Sequence, residues 1–238
     1  MKKVVIIGAS SGIGKQLALA YLKAGHKVGI TGRRKQLLDE LQQQYPQQVI
    51  VSAFDITSTE SISRLSMLID QLGGMDLFIY NSGYATASKE LNMEIDQQIT
   101  HVNVNGFVAT TNYAFNFFVK QGHGQIVGIS SIASYRGNSW APAYSASKAF
   151  MSNFLEAIRI KADRMKKTIT VTDIQPGYIQ TDMLLGTKLF WVSTLEKASR
   201  QIFASIEQKR KRVQITKRWA LVAWLLKWVP YRLYKKIG

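Results

Sequence analysis

Short runs of apolar, mostly β-branched residues recur along this chain, separated by longer stretches with helical periodicity. The runs are Val4–Ile7, Val28–Ile30, Val49–Phe54, Leu77–Tyr80, Ile126–Ile129 and Ile169–Ile174. Each is short and mostly apolar, as expected for strands covered on both faces. The helical stretches include Ile13–Ala24, Lys35–Tyr45, Ile62–Leu72, Gln97–Lys120 and Tyr144–Met165. Strand and helix in alternation predict a doubly wound parallel sheet with helices on both faces, in one α/β domain. The 238 residues, 46% of them hydrophobic, suffice for one sizeable core.

Several function classes fall away at once. The chain has no cysteine, which excludes disulfides and thiolate metal sites. Its histidines, His26, His101 and His123, are far apart in sequence, and no metal site is expected. The apolar run Val4–Ile7 is too short for a secretory leader and leads straight into a glycine-rich turn. It reads as a buried strand, and the protein is expected on the cytoplasmic side.

In a doubly wound sheet the ligand crevice lies beyond the carboxyl ends of the strands. After the first strand comes "GASSGIG", with Gly8, Gly12 and Gly14. Glycines at a strand–helix turn let backbone approach a pyrophosphate and aim free helix N–H groups at the anion. The spacing is G-x-x-x-G-x-G. The chain resembles a short-chain dehydrogenase/reductase, and further pieces match in order over roughly residues 3–182: "FDIT" with Asp55, "YNSG" from Tyr80 to Gly83, "VNVNG" with Asn103, "GISS" ending at Ser131, "YSASK" with Tyr144 and Lys148, and "PGYIQT" with Pro176, Gly177 and Thr181. Three positions depart from the family pattern: Ile7 replaces a threonine, Tyr80 an asparagine and Ser82 an alanine. These change sheet packing and contacts at the cofactor edge, and leave the catalytic positions intact.

The resemblance implies a Rossmann-like fold over 1–216 that holds a nicotinamide dinucleotide. Its contacts would come from Gly8, Ser10, Ser11, Gly12, Ile13 and Gly14 in the first turn, and from Arg33 and Arg34 after the second strand. Asp55 and Ile56 would border the adenine, with Asn81, Ser82 and Gly83 after the fourth strand. Tyr144, Lys148, Pro176, Gly177, Ile179 and Thr181 would complete the set. The implied catalytic residues are Ser131, Tyr144, Lys148 and Asn103, the last holding a water in a proton relay. The helices carrying Asn103 and Tyr144 imply a homodimer or homotetramer.

The residues themselves say why a tyrosine and a lysine would stand four apart. On a helix, positions i and i+4 share a face. A free tyrosine, with a pKa of about 10, is a poor base near neutrality. A nearby ammonium favours the phenolate and the oxidised nicotinamide adds further positive charge; opposite charges at close range lower a pKa by roughly 1–3 units, toward the range of efficient proton transfer. Ser131 would donate a hydrogen bond to the same substrate oxygen.

The second strand ends in "ITGRRK", where an NAD-preferring site would carry an acidic residue. A guanidinium can clamp a phosphate with two N–H groups. The expectation is therefore NADP(H), with Arg33 the main contact and Arg34 beside it. Met183, Leu184, Leu185, Leu189, Phe190 and Trp191 follow Thr181. With Tyr135, Trp140 and Tyr178 they suggest an apolar pocket, of which Tyr135, Trp140, Tyr178, Met183 and Leu184 are the candidate substrate contacts. A hydrophobic carbonyl compound is expected.

The formal charge is +16, and its distribution is uneven. Residues 209–238 hold ten basic residues and no acidic one, leaving 21 basic against 15 acidic elsewhere. After a short expected strand at Arg212–Ile215, Trp219–Val229 is apolar apart from Lys227, and Pro230 is expected to bend or end the helix. A spanning helix needs about 20 apolar residues, so this segment does not span alone. Tryptophans and tyrosines among cations suit an anionic headgroup boundary. Residues 217–238 therefore read as a basic amphipathic helix anchored in the plane of a membrane, with no nucleic-acid partner. The tail is similar to those of a subset of the family that acts on lipid-like ketones, such as the 3-ketosphinganine reductases. Two other readings stay open: an NADP-binding scaffold or redox sensor docked on membranes without turnover, and a soluble dehydrogenase whose tail serves oligomerisation.

Overall fold

The computed structural model describes residues 1–183 and 189–236. Seven strands form one parallel sheet: β1 (Lys3–Ile7), β2 (Lys27–Gly32), β3 (Val49–Ala53), β4 (Leu77–Tyr80), β5 (His123–Ile129), β6 (Thr168–Pro176) and β7 (Arg212–Ile215). Their order is β3-β2-β1-β4-β5-β6-β7, with every pairing parallel. The winding reverses between β1 and β4, so a crevice opens there at the carboxyl ends of the strands.

Successive side chains of a strand point to opposite faces, and β1 divides accordingly. Val4 and Ile6 pack with α1 (Gly12–Lys23), α2 (Lys35–Gln44) and α7 (Leu195–Glu207), through Leu17, Leu38, Leu41 and Ile202. Val5 and Ile7 pack with α3 (Ser61–Leu72), α5 (Phe107–Gln121) and α6 (Pro142–Arg164), through Leu65, Phe118, Met151 and Leu155. Near-continuous apolar strands are what two covered faces require.

The stretch expected as one helix over Gln97–Lys120 has a more particular shape. α4 (Met93–Thr100) starts earlier, capped by Asn92, whose side chain accepts from the Ile95 N–H at 3.0 Å. A π-helical turn follows at His101–Gly106 before α5 continues. One extra residue in the turn rotates Asn103 inward, where it is fully buried. Tyr80 explains its departure from the family pattern: its hydroxyl donates to the Val102 carbonyl at 2.5 Å, and its ring meets Phe107 edge-on. The family's asparagine here is replaced by a side chain that braces the turn.

α7 was not anticipated as a helix, although Leu195, Ala198, Ser199, Ile202 and Ile206 carry the helical spacing. Past β7 come α8 (Trp219–Trp228) and, beyond Pro230, the short α9 (Tyr231–Tyr234). Among the described residues no helix is long and apolar enough to cross a membrane. The base of α8 is seated on the body. Trp219, 3% exposed, and Ala223 pack with Ile132, Tyr135 and Tyr178. A methyl group at Gly177 would run into the Trp219 indole, so the glycine leaves the seat that the ring fills.

Burial predicts opposite outcomes for two tryptophans of one helix. Trp219→Ala should lower stability in urea denaturation by about 3 kcal/mol through the cavity it leaves. Trp224→Ala, at 58% exposure, should stay within about 0.5 kcal/mol.

Candidate active site

The first turn is shaped by its glycines. Gly8 has φ +85°, and a side chain there would lie 2.7 Å from the Ser82 nitrogen. The Gly8 and Ala9 N–H groups donate to the Thr31 carbonyl, and Asn81 Nδ2 donates to the Gly8 carbonyl at 2.7 Å. A methyl at Gly14 would collide with that same carbonyl. Ser11 precedes α1 in extended conformation with no side-chain cap, so its hydroxyl leaves the first-turn N–H groups to other acceptors. Ile13 and Gly14 form that first turn, and the Thr181 methyl lies 3.8 Å from the side-chain position at Gly12. These are the parts of an anion cradle at a helix N-terminus, and they fit a pyrophosphate.

Arg34 crosses the turn. Its Nη2 donates to Ser10 Oγ at 3.0 Å and to Ser11 Oγ at 2.5 Å. Arg33 instead approaches Asp55, Nη1 to Oδ2 3.9 Å, with both side chains well exposed. Partial burial raises the Asp55 pKa, but hydrogen bonds from the Thr57 N–H and hydroxyl, with Arg33, bring it below its ordinary value. Arg33, Asp55 and Thr57 line a pocket of about 240 Å³ that reaches α4. Ile56, beneath it, is buried against Gly106.

The reaction centre draws on four elements. Ser131, at the end of β5, accepts the Ala133 N–H at 3.1 Å and lies within hydrogen-bonding reach of the Tyr144 hydroxyl. Tyr144 is in the first turn of α6, which Pro142 starts. Lys148, one turn on, has its ammonium 5.7 Å from the Tyr144 ring centre and donates to the Ile129 carbonyl at 3.0 Å. Gly83 closes the group: its side-chain position is 3.6 Å from both Lys148 Nζ and Asn103 Oδ1, and 3.7 Å from Met183. Asn103 holds the Tyr84 backbone from both sides, accepting its N–H at 2.8 Å and donating to its carbonyl at 2.9 Å. It also donates to Ser147 Oγ. Its amide is occupied in fixing the loop beside Lys148.

Burial works against the lowering expected from Lys148 and the nicotinamide. Tyr144 has its pKa raised, because burial outweighs the Ser131 hydrogen bond, and Tyr178 adds to the rise. The sequence pointed the other way, through Lys148. Lys148 is itself pushed down to about 8 by burial, with the Asp173 carboxylate opposing. A phenol raised in this way is protonated at neutral pH.

The candidate substrate residues are less uniform. Tyr178 meets Trp219 edge-on at 5.2 Å and Phe190 at 6.1 Å. Tyr135 turns its hydroxyl into a buried network, donating to Gln175 Oε1 at 2.6 Å and accepting from Gln214. Trp140 is 56% exposed, and its carbonyl accepts from the Ser88 N–H. Leu184 lies outside the described residues. A pocket of about 530 Å³ beside the start of α6 is lined by Tyr135, Arg136 and Pro142, and not by Tyr144. Pro176 ends β6. Gly177 N–H donates to the Ile215 carbonyl, and buried Ile179 bridges to Ser193. Trp219, which sequence reasoning assigned to the tail, packs here against Tyr178, Phe190 and Trp191. Asp173 was also missed. It is fully buried, bonded by Ser130, Ser152 and Gln175, with Arg212 3.3 Å away.

With this geometry in place, comparison with known proteins agrees. The sequence model of the short chain dehydrogenase family matches residues 2–188, and the chain belongs to that family. An uncharacterized oxidoreductase of Myxococcus xanthus is 34% identical over 188 residues, covering 76% of this chain and 74% of that one. In fold, the chain is similar to a 3-ketoacyl-(acyl-carrier-protein) reductase of Brucella melitensis complexed with NADH, with TM-score 0.81, 19% identity and coverage of 91% and 97%. It is also similar to the closed form of a serine dehydrogenase complexed with NADP+, with TM-score 0.79, 22% identity and coverage of 90% and 94%.

The depressed Lys148 pKa makes a signed prediction. Between about 8 in the fold and about 10.4 unfolded, only the unfolded chain keeps this proton. Its contribution to stability therefore rises with pH across that window. Relative to Lys148→Met, the wild type should gain about 2 kcal/mol between pH 7 and pH 10 in denaturant unfolding. A pH-independent difference would contradict it.

Proposed function

We propose that the protein is an NADPH-dependent reductase of a hydrophobic carbonyl compound, with Tyr144 as general acid. One observation carries this reading: Ser131, Tyr144 and Lys148 converge beside Gly83, at the crevice that the glycine turn opens. The reduced nicotinamide, when bound, supplies the hydride. Ser131 Oγ–H donates to the carbonyl oxygen and orients it, and Tyr144 gives its proton to that oxygen as negative charge develops there. The ammonium of Lys148 favours the phenolate left behind, and its remaining N–H groups would hold the ribose. A raised phenol pKa suits this direction, since the acid form is fully populated at neutral pH.

The choice of NADPH rests on Arg33 and Arg34. Both guanidiniums border the crevice after β2, where no carboxylate side chain stands among residues 31–35. Arg34 spans the turn serines, and Arg33 flanks Asp55. The solved relatives in complex with NADH and with NADP+ leave either cofactor compatible with the fold. The exposed apolar side chains of Met183, Phe190 and Trp191, with Tyr178 beside Phe190, support a hydrophobic substrate.

Two measurements test this. NADPH oxidation should be followed with ketones of increasing chain length, and turnover should rise with length. Tyr144→Phe should reduce turnover roughly a thousandfold with NADPH affinity nearly unchanged; retained activity would refute the assignment. Arg33→Ala and Arg34→Ala should each lower the ratio of NADPH to NADH efficiency about tenfold or more. An unchanged ratio in both would exclude 2′-phosphate recognition by this pair.

A further inference from the structure

α8 is apolar on two opposite faces. One packs on the body through Trp219 and Ala223. The other carries Leu221, Trp224, Leu225 and Trp228, at 57%, 58%, 50% and 74% exposure. Past Pro230, Tyr231 and Leu233 are also exposed. A surface helix ordinarily turns polar residues outward, and a contiguous exposed apolar patch marks a contact surface.

The surrounding charge identifies the occupant. Lys217, Arg218, Arg232, Lys235 and Lys236 are exposed in the segments that flank this face, while the Lys227 ammonium turns back over the Tyr135 ring at 5.3 Å, and residues 209–238 contain no carboxylate side chain to pair with them. A second copy would bring the same cations against them. An anionic lipid surface supplies the missing charge, and its acyl boundary accepts tryptophan and leucine. α8 has ten residues, about 15 Å of helix. That is about half the hydrocarbon thickness, so it lies along the surface.

The attachment of the tail sets the orientation. Trp219, at the start of α8, is wedged against Gly177 and Tyr178. At the end of the helix, Arg136 donates to the Val229 carbonyl at 3.1 Å and lies over the Tyr234 ring, and Tyr234 donates to the Gly137 carbonyl. Phe190 and Trp191, 55% and 41% exposed, lie 5.3 and 6.3 Å from the Trp219 ring and add exposed apolar surface beside the start of α8. We propose that α8 and α9 dock the protein in the plane of an anionic bilayer, with the mouth of the crevice facing the lipid. Delivery of substrate from that bilayer rests on the reductase reading; docking does not.

The test is sedimentation of the full chain with phosphatidylcholine vesicles, with and without phosphatidylglycerol. Wild type should sediment with the anionic vesicles only, and salt should release it. Arg232→Gln/Lys235→Gln/Lys236→Gln should lower the partition coefficient on the order of a hundredfold, about fivefold per charge. Leu221→Ser/Trp224→Ser/Trp228→Ser should lower it at least about tenfold, with circular dichroism and melting temperature unchanged. Absence of wild-type binding at low salt, or equal binding by either variant, would overturn the proposal. So would an oligomer that the serine variant dissociates while no vesicle binding occurs, since the face would then cover a second copy. Vesicle binding without turnover on any ketone would support docking and count against the reductase reading.

Discussion

A lysine ammonium only 4% exposed needs partners, and the active centre is organised around supplying them to Lys148. Its hydrogen bond to the Ile129 carbonyl ties α6 to the end of β5, the strand that also delivers Ser131. Because Lys148 is fixed, Tyr144, one turn earlier, is fixed too. Gly83 lies beside both Lys148 and Asn103, its side-chain position 3.6 Å from each. Asn103 in turn is spent on the Tyr84 backbone, and the π-helical turn that points it inward is braced by Tyr80. Each link is local, and the chain of links runs from β4 through α5 to α6.

Beneath this centre lies a second polar layer. Asp173 on β6 takes hydrogen bonds from Ser130, Ser152 and Gln175 and faces Arg212 on β7. Gln175 passes the network on to Tyr135 and Gln214. A buried carboxylate is tolerated only when so fully partnered. The same carboxylate opposes the burial of Lys148 and keeps its pKa from falling further. A buried carboxylate, itself partnered by Arg212, thus lies close enough to favour the Lys148 ammonium.

Much of this was legible in the sequence because strand runs and turn glycines are local signals. All the expected strands formed, and Gly8 to Gly14, Ser131, Tyr144 and Lys148 meet at one crevice. What was not legible depends on distant partners. Asp173 sits in a run that reads as apolar, and its partners come from β5, α6, β6 and β7. The burial that raises the Tyr144 pKa was not legible, because it comes from the surrounding fold. The π-helical turn left no periodic trace in so short a segment. The tail's composition announced its charge, but nothing before folding links Trp219 to Gly177.

That last contact has a bearing on how the molecule is made. Gly177 ends up against an indole that follows every strand of the sheet in chain order. During synthesis the earlier strands and helices can assemble as they emerge. The seat beside Gly177 must wait until translation has passed residue 219. Until then Tyr178 and Ile132 lack the ring that covers them, so the nascent chain presents an open apolar notch where α8 will dock.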